Sequence, residues 1–305
     1  MQLAGRRFVV TGGSGFIGSH VVDALVRADA AEVVVLDASL IPRNLAESEP
    51  SARVRSIEGD IRDPAVVRSA LDGSDGVFHM AVLPLGGCVD DPRLCHEVNV
   101  GGTLNVLEAA RDANVAKLVF SSASSVYGDT DETMDESHPL EARTMYGASK
   151  VAGEFYVRAF KDTYGLDYVT LRYMNVYGPR QGGGLVVSVI KRLLAGERPV
   201  IAGDGSQSFD FVHVADVAAA NLHAMASDVS DDAFNVGSGT EVSVREIAEK
   251  LIDLTDAGVE PEYDGGQRVL MRRRVGSNAR AKELLGWAAS RSLEDGLREV
   301  VESLR

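Results

Sequence analysis

Cysteine is scarce in this chain: its 305 residues hold two, Cys88 and Cys95. Two thiols cannot staple a chain of this length, and no Cys/His spacing around them suggests zinc. They read as two ordinary small residues of a protein kept in a reducing compartment. Basic residues are also in deficit, 31 Lys and Arg against 45 Asp and Glu, which leaves a net charge of −14 and a pI near 4.9. Such a surface repels phosphate backbones and anionic lipid, which argues against nucleic acid and membrane as partners. A small anionic substrate stays open, because a few local arginines and helix N-termini can hold one. No apolar run approaches the roughly 20 residues that cross a bilayer. The start, Met1 to Arg7, leads into a short apolar strand broken by glycines, which is too short for a secretory leader. The chain therefore reads as soluble and cytoplasmic. Internal repeats, low-complexity tracts and linkers are lacking too.

What is present is a core-forming composition, 45% hydrophobic and 25% charged. Short β-branched runs alternate with amphipathic stretches through the first half. Strands are expected at 7–11, 32–37, 54–58, 76–80 and 117–121, and helices at 15–28, 64–71 and 98–113. That alternation predicts parallel βαβ units in a doubly wound α/β sheet of the Rossmann type, with right-handed crossovers. The second half is less regular. A long helix is expected at 146–164, a strand at 167–172, and further helices at 186–195, 242–254 and 279–285. Glycine-bearing loops fall at 178–184 and 203–208. We expect residues 1–172 to form the dinucleotide-binding domain, with part of 211–236 returning to it. Residues 173–305 would then form most of a smaller, interleaved substrate lobe.

The strongest local signal is Thr11-Gly12-Gly13-Ser14-Gly15-Phe16-Ile17-Gly18. Gly12, Gly15 and Gly18 recur every third residue between a strand and a helix. Glycine permits the tight turn and lets backbone approach a pyrophosphate, while the helix N-terminus offers free N–H groups. An acidic residue, Asp37, ends the second strand about twenty residues past the last glycine, where such folds hold the adenosine ribose. Its carboxylate would repel a 2′-phosphate, and no arginine follows it, so NAD is expected rather than NADP. Asp60 and Ile61, after the third strand, could meet the adenine. Further along, Tyr146 and Lys150 stand four apart at a helix start and so share a face. A free tyrosine titrates near 10, too high for a base at neutral pH, and a neighbouring ammonium favours its phenolate. His79 and His213 lie in apolar runs and read as structural.

With these motifs the chain resembles the extended short-chain dehydrogenase/reductases, in particular the sugar-nucleotide epimerases and dehydratases. Other pieces of the resemblance are Phe78-His79-Met80-Ala81, Asn99 with Gly101-Gly102-Thr103, Ser121 to Gly128, Leu171 to Arg180, Gly203-Asp204-Gly205 with Asp210-Phe211, and Leu285-Gly286-Trp287. It implies NAD held by Gly12, Gly15, Phe16, Ile17, Gly18, Asp37, Asp60, Ile61, Ala81, Asn99, Ser122 and Tyr173. Tyr146 would be the base that takes a sugar hydroxyl proton, and Lys150 would tune it and hold the nicotinamide ribose. Dehydratases and decarboxylases of the family carry acidic residues where this chain has Ser124 and Ser125, so C4 epimerisation of a UDP-sugar is the expected reaction. The expected alternatives are a dehydratase or reductase on a related sugar and a non-catalytic NAD-binding regulator. Two positions depart from the family. Its hydroxyl partner of the tyrosine falls on Ala123, so Ser124 is expected to assist instead. Its arginine before Asp210-Phe211 is Phe209, which leaves Arg180 and Arg268 as expected phosphate contacts, with Arg272, Arg273 and Arg274 crowding the second. Asn175 and Ser125 would touch the sugar nucleotide. Leu83 to Cys88 could line the sugar pocket, and the family implies a homodimer. No metal is expected.

Overall fold

The computed structural model describes residues 1–48, 51–266 and 271–305. In chain order the first half comprises β1 (Arg7–Thr11), α1 (Phe16–Arg27), β2 (Glu32–Asp37), α2 (Pro42–Leu45), β3 (Val54–Glu58), α3 (Pro64–Leu71), β4 (Gly76–His79), α4 (Leu85–Asp90), α5 (Pro92–His96), α6 (Thr103–Asp112), β5 (Lys117–Ala123), α7 (Met145–Tyr164) and β6 (Tyr168–Tyr173). The second half adds β7 (Asn175–Tyr177), α8 (Leu185–Leu194), β8 (Val200–Ala202), β9 (Ser208–His213), α9 (Val214–Ala226), β10 (Asp232–Val236), β11 (Glu241–Ser243), α10 (Val244–Thr255), β12 (Glu262–Asp264), β13 (Arg273–Arg274), α11 (Ala279–Leu284) and α12 (Leu293–Leu304).

Seven strands form one sheet in the order β10-β6-β5-β4-β1-β2-β3. Every pairing in it is parallel. The strands are apolar on both faces because both are covered, as a parallel sheet requires. Phe8, Val10, Val33, Val35 and Phe78 face one layer with α1 and α9, and their neighbours Val9, Val34, Leu36 and Val77 face the other with α3, α6 and α7. The strand order reverses at β1, between β2 and β4, and the carboxyl ends there form the crevice in which doubly wound sheets bind ligands. A third apolar cluster joins α8, α10 and α12 through Ile190, Ile247, Leu251, Leu297 and Val301. Beside it lie the four-stranded sheet of β7, β9, β11 and β13 and the β8–β12 pair.

The expected strands of the first half all form, and three features of the chain differ from expectation. Helix 98–113 opens with a π-helical stretch, Glu97–Gly102, before α6 begins. Within this widened turn the Asn99 amide exchanges bonds with the backbone of Leu83. The segment after β7 holds more regular structure than expected, notably β9, α9 and α12. The cysteines are also not the two ordinary reduced residues expected: Cys88 on α4 and Cys95 on α5 form a disulfide, buried on both sides. Asp91 turns the chain between the two helices by accepting from Leu94 N–H at the start of α5, which brings the two Cα atoms to 4.8 Å. Among the described residues no helix is long and apolar enough to cross a membrane, and no group of three or more His, Cys, Asp and Glu could hold a metal ion.

Candidate active site

The turn after β1 is shaped by what its glycines leave out. Gly12 has φ of +68°, and a Cβ there would stand 2.8 Å from Ala81 N. On Gly18 a Cβ would stand 2.1 Å from Gly12 O, so the helix could not approach the turn. Gly15 begins α1 with no side-chain cap, and no acidic residue sits in the first turn. The first N–H groups of α1, at Phe16, Ile17 and Gly18, are thus left to an outside anion. Asp37 is fixed at the end of β2, accepting from Ser14 N–H at 3.1 Å and Ser39 N–H at 3.3 Å. The uncapped helix start, the glycine cradle and the fixed carboxylate fit NAD. Farther out, Asp60 is held by Arg62, whose bonds draw its pKa down. Ile61 is buried, and its side chain occupies the space a Cβ on Gly102 would need.

Behind this cradle the polar groups are tied to one another. Thr11 Oγ1 meets His79 Nδ1 at 2.7 Å, and His79 Nε2 meets Thr103 Oγ1 at 2.9 Å. Thr11 Oγ1 also accepts from Ala81 N–H. Burial drives His79 down to about 3, with the Lys150 charge adding to the effect. It is a neutral link between Thr11 and Thr103; burial lowers His213 too, to about 4, and His213 caps α9 by accepting from Ala215 N–H. Asn99 Nδ2 donates to Ser149 Oγ at 3.0 Å and reaches toward both disulfide sulfurs. Tyr173 Oη meets Ser121 Oγ at 2.9 Å and donates to Asn221 Oδ1 at 3.0 Å. Ser122 is also occupied: it donates to Glu154, which is clamped by Arg172 in a buried ion pair.

Tyr146 and Lys150 stand on the first turns of α7, whose start is capped by Thr144 accepting from Gly147 N–H. The spacing that suggested a shared face does bring them together, with Lys150 Nζ 5.8 Å from the Tyr146 ring centre. Lys150 donates to Ser121 O at 2.7 Å. Burial lowers its pKa to about 8, opposed by Glu154 one helical turn on. Burial pushes Tyr146 up to about 12.

A cavity of about 290 Å³ opens beside Tyr146. Ala123, Ser124 and Ser125 line it from the end of β5, Tyr173 and Asn175 from β6 and β7, and Arg274 from β13. Leu85 lines it from the start of α4, within the segment expected to reach the sugar pocket. A larger groove, about 820 Å³, lies around Asp204, Arg245 and Tyr263 in the second half of the chain. It holds neither Tyr146 nor Lys150, so the smaller cavity is where chemistry is possible.

Of the two expected phosphate contacts, the one among the described residues lies away from this cavity. Arg180 faces away from it, donating to buried Asp23 at 2.7 Å and pairing with Glu47 at 2.9 Å. Its backbone has φ of +69°, and its side chain reaches Asp23 on α1. Arg268 lies outside the described residues. Phe209, in place of the family's arginine, packs edge-on against Phe211 in an apolar cluster. The residue missed as an individual is Arg274. Its one signal in the sequence was membership of a run of three arginines, and only the pairing of β13 with β9 selects which of them faces inward.

The class defined by this fold and site is a dinucleotide-binding enzyme scaffold with a tyrosine–lysine pair over the cofactor crevice. The chain belongs to the NAD dependent epimerase/dehydratase family, whose model matches residues 8–237. It is 38% identical over 309 aligned residues to the UDP-glucose 4-epimerase of Mycolicibacterium smegmatis, with 98% of each chain covered. Among solved structures it is similar to the UDP-N-acetylglucosamine 4-epimerase of Methanobrevibacter ruminantium in complex with UDP-N-acetylmuramic acid. That match has a TM-score of 0.93 at 32% identity and covers 99% of this chain and 98% of the other. The UDP-glucose 4-epimerase of Thermus thermophilus, solved in complex with NAD, matches with a TM-score of 0.85 at 33% identity, covering 97% and 98%.

Proposed function

We propose that this chain inverts C4 of a UDP-linked hexose or uronic acid through a transient 4-keto sugar. The observation that carries the proposal is the wall of the Tyr146 cavity. Among the described residues it presents Ser124 and Ser125 beside the tyrosine and no carboxylate at all. Dehydration needs a second acid–base group for the proton and hydroxide it removes, and a serine hydroxyl without an activator is too weak for that. Epimerisation needs only one group that takes a proton and gives it back. The relatives named above support the UDP-sugar as substrate class.

NAD, when bound, supplies a reversible hydride acceptor, and the glycine cradle, Asp37 and Lys150 would hold it. Tyr146 Oη takes the C4 hydroxyl proton and later returns it. The Lys150 ammonium favours the phenolate by its charge and is aimed by its bond to Ser121 O. Ser124 stands in for the hydroxyl absent at Ala123 and guides the proton. Arg268 keeps the expected diphosphate contact, while Arg180 serves to brace α1. The functional division follows the same boundaries, residues 1–172 with part of 211–236 for cofactor and 173–305 for substrate.

A homodimer formed through α6 and α7 is supported by exposed Phe155 and Tyr156 in the middle of α7. A cytoplasmic location rests on the substrate and cofactor classes, because the disulfide removes cysteine usage as support. The test is incubation with UDP-, GDP-, CDP- and dTDP-sugars followed by proton NMR. The expected result is a C4 epimer of a UDP-sugar with no net NADH and no loss of water. A dehydrated product, or stoichiometric NADH, would overturn the proposal.

A further inference from the structure

Building on the epimerase reading, the geometry points to a substrate whose sugar carries a carboxylate beside the reacting carbon, held by Arg274 with Ser125 and Asn175. Arg274 is buried, and its Nε has no hydrogen-bond partner. The guanidinium makes only a marginal 3.5 Å contact, with Gly128 O. Burial draws its pKa down to about 10, and the nearby Asp129 charge does not make up the loss. A desolvated, unpaired cation is expensive, and folded proteins keep one where a ligand completes it.

Two more buried donors of the same cavity wall lack partners: Ser125 Oγ and Asn175 Nδ2. Three donors, one of them charged, converge on a space with no carboxylate among its described lining residues. Such a set selects an anionic oxygen group, and an arginine fork fits a carboxylate or a phosphate. Gln181 Oε1, an unpartnered acceptor on the same wall, would take a ring hydroxyl.

Position favours the carboxylate. Arg274 lines the same cavity of about 290 Å³ as Tyr146, Ser124 and Ser125, so an anion it holds shares one small space with the reacting carbon. In a pyranose the diphosphate leaves from C1, across the ring from C4, whereas the C6 carboxylate of a uronic acid is attached next to C4. An anion held in that space is therefore the C6 group. No bond is made or broken by this contact; it orients the ring and selects the substrate.

The test compares UDP-glucuronate with UDP-glucose on the full chain, wild type against Arg274→Met and Arg274→Lys, by calorimetric binding and by kcat/KM. Melting curves confirm that each variant is folded. The expected loss for Arg274→Met is ~10–100-fold with UDP-glucuronate, the range of a charge-assisted bond. UDP-glucose should change by less than about threefold, and Arg274→Lys, which keeps the charge without the fork, should fall between. Equal losses on both sugars would place Arg274 on the diphosphate and overturn the inference. So would a wild type that inverts UDP-glucose and ignores UDP-glucuronate, while leaving the epimerase reading intact. Arg274-dependent binding of UDP-glucuronate without C4 inversion would do the reverse: the carboxylate contact would stand and the epimerase reading would fall. Should Arg274→Met not fold, Arg274→Lys alone decides by whether its loss is confined to the uronate.

Discussion

The two sides of the Tyr146 crevice are finished to different degrees. On the cofactor side nearly every buried polar side chain has a partner within the chain, and the groups left open are the backbone N–H groups that start α1. Thr11, His79 and Thr103 form one line of bonds, Asn99 ties Leu83 to Ser149, and Lys150 is anchored on Ser121 O. On the sugar side Ser125, Asn175, Gln181 and Arg274 each leave a buried atom without one. An unmade buried hydrogen bond costs about 1–3 kcal/mol, so the second surface bears a cost that a ligand would relieve. The contrast suits a cofactor that stays through many turnovers and a sugar that comes and goes.

The comparison can be broken most severely on the cofactor side. Gly18→Val places carbon where a Cβ alone already falls 2.1 Å from Gly12 O. Purified variant should carry no NAD, seen as a fall in nucleotide absorbance, and should be inactive. Retention of NAD would show that the turn is not the cradle. Next in size is the pH dependence through Lys150. Its ammonium, which the proposed mechanism needs beside Tyr146, is present below its pKa of about 8 and is lost as pH rises through that value. We expect kcat/KM to decline on the alkaline side of 8, and Lys150→Arg, which cannot deprotonate there, to lose that limb if it remains active. A wild-type profile flat through this region would separate the ammonium from catalysis.

The smallest effect concerns the disulfide at the edge of the crevice. Cys88 and Cys95 close a loop of sequence separation 7, which by chain entropy amounts to about 2 kcal/mol. Cys88→Ser or added reductant should lower the denaturant midpoint by a corresponding amount. Intact mass without reductant should be lower by two hydrogens. Full labelling of both thiols in untreated protein would contradict the bond.

The same division marks what the sequence made legible. The cofactor side is written in contiguous code: glycines at fixed spacing, an acidic strand end and a tyrosine four residues before a lysine. Local geometry dictates each, so strand limits such as Arg7–Thr11 and Glu32–Asp37 could be read directly. The sugar side is assembled from β5, β7, β13 and the start of α4 at Leu85, and no local spacing says which residue of each faces inward. Arg180 shows the limit, since its positive φ and its partner Asp23 are tertiary facts. The cysteines show it too, because their pairing depends on a turn at Asp91 between two short helices.

Tyr146→Phe puts the account to its most direct test, because it removes one oxygen and leaves both sides of the crevice otherwise intact. With NAD content measured on the same sample, turnover of the UDP-sugar epimerised by wild type should fall by about 10²- to 10⁴-fold, the range for losing a general acid–base group, while bound NAD is unchanged. Near-normal turnover by that variant would contradict the assignment of Tyr146 as the base.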